Sequence, residues 1–283
     1  MRMTLSGFNR PTRAQPEKRL ERGDRQATVI AVAAQKGGVG KTTTTVALAS
    51  AWARFHDKKV LVVDLDPQAH VNVALGDMVE VGGGNLSEVL IDNDGTEVAE
   101  IAAQTTIENL HVTPVDPELI RTEQNLTAKI GKELLLKSAM EITRSHYDLI
   151  LLDCPPNIGS LTLNALVAAD HVLIPCNPTA LAVSGVSGLF EVIDEIAQQL
   201  NPYLGVLGVV LTRVDGRNVR TNTAVMDLLE DSWGELLVPT RIGTSNALAE
   251  AQLSGRDVHS FAPRSRGAEQ YQELAKVLLD RIV

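Results

Sequence analysis

An apolar run from Val29 to Ala34 empties into the glycine-rich turn Gln35-Lys36-Gly37-Gly38-Val39-Gly40, and Lys41-Thr42 then leads into a helix-forming run from Val46 to Ala53. Strand, glycine turn and helix in that order are the phosphate-loop arrangement. Glycine lets backbone N–H groups turn inward where a Cβ would block them, and the helix presents its positive dipole end to the turn. The stretch therefore reads as a cradle for a polyphosphate. Lys41 would set its ammonium on the β- and γ-phosphates, and Thr42 would offer its hydroxyl to Mg²⁺.

The spacing G-x-x-x-x-G-K-[ST] wants glycine where this chain has Gln35, and a second lysine, Lys36, stands at the front of the loop. KGGVGKTT resembles the deviant Walker A motif of the ParA/MinD family of ATPases. The resemblance implies that Lys36 reaches across a two-fold axis to the nucleotide of the other subunit. It also implies that Gly37, Gly38, Val39, Gly40, Lys41, Thr42 and Thr43 line the nucleotide's phosphates.

Two carboxylates follow the next apolar run, KVLVVD, as Asp64 and Asp66. Just past a strand, side chains at i and i+2 point the same way, toward the carboxyl edge where the phosphate loop also lies. Tyr147–Asp153 (YDLILLD) is the most apolar strand and closes on a third aspartate, with the shape of a Walker B element. VDLDPQ and YDLILLDCPPN resemble the switch segments of the same family. By that resemblance Asp64 and Asp153 hold Mg²⁺ through water, and Asp66 positions the attacking water. Asn157 stands where the family more often has serine.

Hydrophobic residues make up 44% of the 283, aromatic residues only 3%, and the apolar share is mostly Val, Leu, Ala and Ile. Strands covered on both faces by helices have this composition. The fold expected is a single doubly wound α/β domain over 27–283, with a mostly parallel sheet of about seven or eight strands and helices on both faces. Val79–Asn85 reads as a loop, Leu86–Gln104 as irregularly helical, Asn109–Val115 as a strand and Pro117–Arg144 as a long helical stretch. His171–Cys176 and Gly205–Thr212 read as strands, with a helix through Leu200 between them. Tyr271–Val283 reads as a terminal amphipathic helix with Leu274, Val277, Leu278 and Ile282 on one side, packed on the sheet rather than inserted in a membrane.

Cys154 and Cys176 sit near strand ends with no framework spacing, so neither disulfides nor a metal site is expected of them. His111 lacks companions for ligation and reads as a packed or surface histidine. No apolar stretch reaches the length of a membrane span, and a cytoplasmic protein is expected. The net charge of −9 speaks against a general nucleic-acid binder, so any DNA contact needs a local patch. Residues 1–26 go the other way, with seven basic residues against three acidic, and read as a flexible basic tail.

The motifs together predict Mg²⁺-dependent ATP hydrolysis. The resemblance further implies an ATP-dependent homodimer, sequence-independent DNA binding on the nucleoid, and a ParB-type or cargo-adaptor partner that triggers hydrolysis. It places Thr212, Arg213 and Pro239 around the base, and the basic residues available for DNA are Arg217, Arg220, Arg241, Arg264 and Arg266. A MinD-like membrane-associated regulator is the first alternative. An enzyme that uses ATP to activate a small carboxylic acid on the same scaffold is the second, and Lys36 favours either of the others over it.

Overall fold

The computed structural model describes residues 20, 22–80, 82–92, 95–179, 182–215 and 227–282. Its centre is a seven-stranded sheet in the order β3-β4-β2-β5-β1-β6-β7. The strands are β1 (Thr28–Val32), β2 (Val60–Asp64), β3 (Ala103–Gln104), β4 (Leu110–Val112), β5 (Leu149–Asp153), β6 (His171–Cys176) and β7 (Gly205–Leu211). Neighbours pair parallel throughout, except that β3 runs antiparallel to β4 at one edge.

Successive residues of each strand feed opposite faces, as a period of two requires. Val29, Ala31, Leu61, Val63, Ile150 and Leu152 enter one core. Helices α3 (Leu86–Asp92), α4 (Val98–Ile101), α5 (Leu119–Leu126), α6 (Leu135–Ala139), α7 (Ser160–Ala168) and α8 (Ala182–Gln199) cover it. Ile30, Val32, Val60, Val62, Leu149 and Leu151 enter a second core. It lies under α1 (Lys41–Phe55), α2 (His70–Leu75), α9 (Asn246–Leu253), α10 (Val258–Phe261) and α11 (Arg266–Ile282). Apolar side chains leave water on both faces, so the strands read as unbroken hydrophobic runs.

Helix α1 is buried continuously from Thr44 to Ala53 because α11 and α10 pack over it. Alanines at 47, 49, 51 and 53 let the neighbours approach closely. Trp52, fully buried, donates its indole N–H to the Ala275 carbonyl at 2.9 Å, and Arg54 pairs with Asp257 at 2.9 Å. The expected terminal helix begins earlier than expected, at Arg266, and buries Tyr271, Leu274, Ala275 and Leu278. It lies mainly against α1 and reaches the sheet through Arg281, which donates to the Leu207 carbonyl at 3.0 Å. Among the described residues no helix is long and apolar enough to cross a membrane.

The long helix expected over Pro117–Arg144 is replaced by α5, a 3-10 turn at Lys132–Leu134, α6, and a second 3-10 turn at Thr143–His146. Gly131, at φ +69°, opens the first 3-10 turn and keeps α5 and α6 from joining, but α5 has already ended at Leu126 and α6 ends at Ala139 with Met140 as its cap.

Candidate active site

Strand β1 lies between β5 and β6, so the connection leaving its carboxyl end opens into the crevice where the winding of the sheet reverses. The glycine turn fills that crevice. Gly38 and Gly40 hold φ of +74° and +88°, a region that costs an L side chain about 1–2 kcal/mol. Gly40 caps α1 with no side chain, which leaves the first-turn N–H groups free for an anion. Lys41 is 8% exposed. Burial lowers the pKa of its ammonium, opposed chiefly by the Asp153 carboxylate.

Asp64 and Asp153 end β2 and β5 as register partners. Asp153 is fully buried and accepts from the hydroxyls of Thr42 at 2.7 Å and Thr45 at 2.8 Å. Burial nevertheless pushes its pKa up to about 6, against those two bonds and the Lys41 charge. Asp64 accepts from the N–H groups of Asp66 and Val71, both at 3.1 Å. Burial first, and then the Asp153 charge, raise it well above the usual carboxylate range. Asp66, 6% exposed, accepts from the N–H of Gln68 at 3.0 Å.

Two buried carboxylates side by side, both disfavoured as anions, form a donor set that a divalent cation satisfies. Thr42 donates its proton to Asp153, so its oxygen lone pairs remain for a metal. Among the described residues no group of three or more His, Cys, Asp or Glu side chains could hold a metal by themselves. Mg²⁺ keeps several waters and takes further ligands from phosphates rather than from a protein cage, so Thr42 and the two carboxylates would be enough to hold it.

Lys36 contrasts with Lys41: it is exposed and pairs with no carboxylate among the described residues. It stands at the lip of an apolar cavity lined by Val39, Ile174, Cys176, Val186 and Leu189. Cys176 is pushed up to about 11 by burial, against the nearby Lys36 charge. Cys154 is fully buried, and its thiol is raised by that burial and by Asp153, in keeping with a small apolar filler.

The AAA-domain family profile matches residues 27–206. Among curated relatives, the sporulation initiation inhibitor protein Soj of Bacillus subtilis is 38% identical over 248 residues, covering 88% of this chain and 96% of that protein. The chromosome-partitioning ATPase Soj of Thermus thermophilus is 37% identical, with 89% and 96% covered. The chromosome partitioning protein ParA of Myxococcus xanthus is 35% identical, with 89% and 88% covered. The chain belongs to the ParA/Soj family of ATPases. Solved structures that resemble this ParA/Soj-type chain include proteins of other names. Cobyrinic acid a,c-diamide synthase from Mycobacterium smegmatis, with bound ADP and magnesium, superposes with a TM-score of 0.76 at 32% identity, covering 91% of this chain and 96% of that one. The cell division ATPase MinD of Pyrococcus furiosus gives 0.72 at 25% identity, covering 91% and 100%.

In this ParA/Soj-family member a cavity of about 300 Å³ adjoins the glycine turn and is lined by Gly40, Thr43, Thr212, Arg213, Thr244, Tyr271 and neighbours. Thr212 donates to the Val39 carbonyl at 2.7 Å and so ties the end of β7 to the turn. Pro239, the third residue expected at the base, is exposed and does not line this cavity. Arg241 pairs with Glu230 at 3.2 Å, Arg264 and Arg266 are exposed, and Arg217 and Arg220 lie outside the described residues, as does most of the basic tail. His111 is packed, its Nδ1 2.8 Å from the Tyr147 hydroxyl.

Three supporting side chains escaped the sequence reading. Thr45 stands one turn after Thr42 on the face toward Asp153, a relation hidden in a run of four threonines. Thr113, at the end of β4, accepts from the Asp64 N–H at 2.9 Å, and Asn72 donates to the Thr113 carbonyl at 3.1 Å. No local pattern joins those residues; only the β2–β4 pairing does.

Proposed function

We propose that the protein is a Mg²⁺-dependent ATPase that closes into a face-to-face dimer on ATP, binds DNA without sequence preference, and positions plasmid, chromosome or protein cargo with a ParB-type partner. The observation that carries this reading is Lys36: a cation at the front of the loop, exposed and without a carboxylate among the described residues, while Lys41 is buried in the cradle. A lysine serving its own subunit's phosphates has no need to face outward. One serving a second subunit does.

In this reading Lys41 and the turn's N–H groups would hold the phosphates, and Thr42, Asp64 and Asp153 would hold Mg²⁺, which would supply neutralisation of the phosphates' negative charge. Asp66 orients a water whose oxygen bonds to the γ-phosphorus as the bond to the bridging oxygen breaks. ADP leaves with that electron pair, and the water's protons end on phosphate and solvent. Dimerisation would couple this chemistry to DNA. One basic face makes few phosphate contacts, and two faces joined in one binding event double the salt-dependent term. Such a dimer would be nucleoid-associated.

The deciding experiment is an electrophoretic shift on non-specific DNA with ATP, with ADP and without nucleotide. A shift confined to ATP supports the partition reading, and equal binding in all three lanes refutes it. Likeness to the Mycobacterium smegmatis synthase favours one other reading, ATP-driven activation of a small carboxylic acid. That reading predicts ADP release that depends on an added carboxylic acid and an amide donor. The MinD-like membrane reading is disfavoured because the apolar side of α11 is already buried against α1.

A further inference from the structure

The turn between β2 and α2 folds back on its own aspartates. The Asp66 carbonyl accepts from the N–H of Ala69 at 2.8 Å, and Ala69 takes a φ of +53°, a left-handed conformation uncommon for an L residue. The reversal brings His70, the first residue of α2, back over Asp66. Its Nδ1 lies 3.4 Å from Asp66 Oδ2, ion-pair distance, with the His70 side chain 49% exposed and that of Asp66 8%. The two oxygens of Asp66 are thereby made unequal. Oδ1 is taken by the Gln68 N–H, and Oδ2 is met by the imidazole.

We propose that His70 is a positioning residue for hydrolysis: its imidazole, at ion-pair distance from Oδ2 of Asp66 but not yet hydrogen-bonded to it, donates Nδ1–H to that oxygen when nucleotide is bound and holds the carboxylate in the orientation from which it receives the attacking water. The inference rests on the reading of Asp66 as the water-positioning group. A carboxylate with one oxygen tethered still turns about its Cβ–Cγ bond, and a second donor stops that rotation. Oδ2 has further lone-pair directions, so one N–H leaves room for water. The imidazole touches neither nucleotide nor metal in this scheme. It acts only through Asp66, as outer-shell partners do when they orient a functional side chain.

The test compares His70→Ala, His70→Asn and Asp66→Asn in steady-state ATPase assays with Mg²⁺ and non-specific double-stranded DNA present. Affinity for a fluorescent ATP analogue and melting curves are measured alongside. His70→Ala is expected to lower kcat by about tenfold, the low end of outer-shell effects, with KM and analogue affinity within about twofold. His70→Asn keeps an N–H donor and is expected to recover most of the lost rate. The double variant Asp66→Asn/His70→Ala should fall no further than Asp66→Asn alone, because the two side chains act as a unit. A wild-type kcat in His70→Ala beside an inactive Asp66→Asn overturns the His70 role alone, as does a loss of rate that His70→Asn fails to restore. A wild-type rate in Asp66→Asn removes the water-positioning reading itself.

Discussion

Asp64 and Asp153 are register partners on adjacent parallel strands, so two buried carboxylates close the same edge of the sheet. Their placement follows from β2 and β5 both ending in aspartate, and it sets the pH behaviour of the metal-free protein. The folded-state pKa of Asp153 is raised from 3.8 to about 6. Folding is therefore helped by its protonated form: the contribution is fully present below the unfolded value and is lost as pH rises through about 6. Relative to Asp153→Asn, metal-free wild type should gain Tm when pH is lowered from 7.5 to 5. Differential scanning fluorimetry on both proteins measures this, and a Tm gap independent of pH contradicts it.

Thr45→Val removes a hydroxyl that donates to Asp153 while preserving shape. A hydrogen bond to a charged group contributes about 1.5–3 kcal/mol, so urea unfolding should show a loss near that size. ATPase kcat should fall with it, since Asp153 is left held by Thr42 alone on that side. An unchanged urea midpoint would show that the bond contributes nothing net.

Lys36→Ala should bind ATP about as well as wild type yet remain a monomer with a non-hydrolysable analogue in light scattering. Cross-subunit arginines are worth about 10³–10⁵ in rate. Stimulated hydrolysis should drop by at least about tenfold. Dimerisation of the variant would remove the cross-subunit role.

Leu274→Ala opens a cavity beneath α11, in the core that α11 shares with α1, and should cost about 2–5 kcal/mol in chemical denaturation. The same contact predicts that ATP does not drive the wild-type protein onto anionic phospholipid vesicles in flotation assays. ATP-dependent flotation would mean that α11 leaves α1, and it would restore the membrane reading.

The phosphate loop was legible because its chemistry is local. Strand, glycines, lysine and threonine are consecutive, and a helix N-terminus must follow a strand closely for the cradle to form. The aspartates were legible for a related reason, since each ends a strand and parallel strands deliver their carboxyl ends to one edge. The helix expected over Pro117–Arg144 is broken after Leu126 and again after Ala139, and of these breaks only the one between α5 and α6 contains a left-handed glycine, so the apolar period alone did not locate them. Pro239 stands exposed outside the cavity beside the glycine turn, a placement no neighbouring residue in the sequence records.

By itself the sequence determined the strand–turn–helix at residues 29–53, the parallel α/β class and the three carboxylates, because propensity, glycine geometry and period two act over a few residues. Only the tertiary structure decided that Thr45 and Thr42 share Asp153, that Thr113 and Asn72 support Asp64, that α11 spends its apolar side on α1, and that His70 turns back over Asp66. Those contacts join segments through strand order, helix packing or a backbone reversal, and their energies come from burial and hydrogen bonds that exist only once the chain has closed around them.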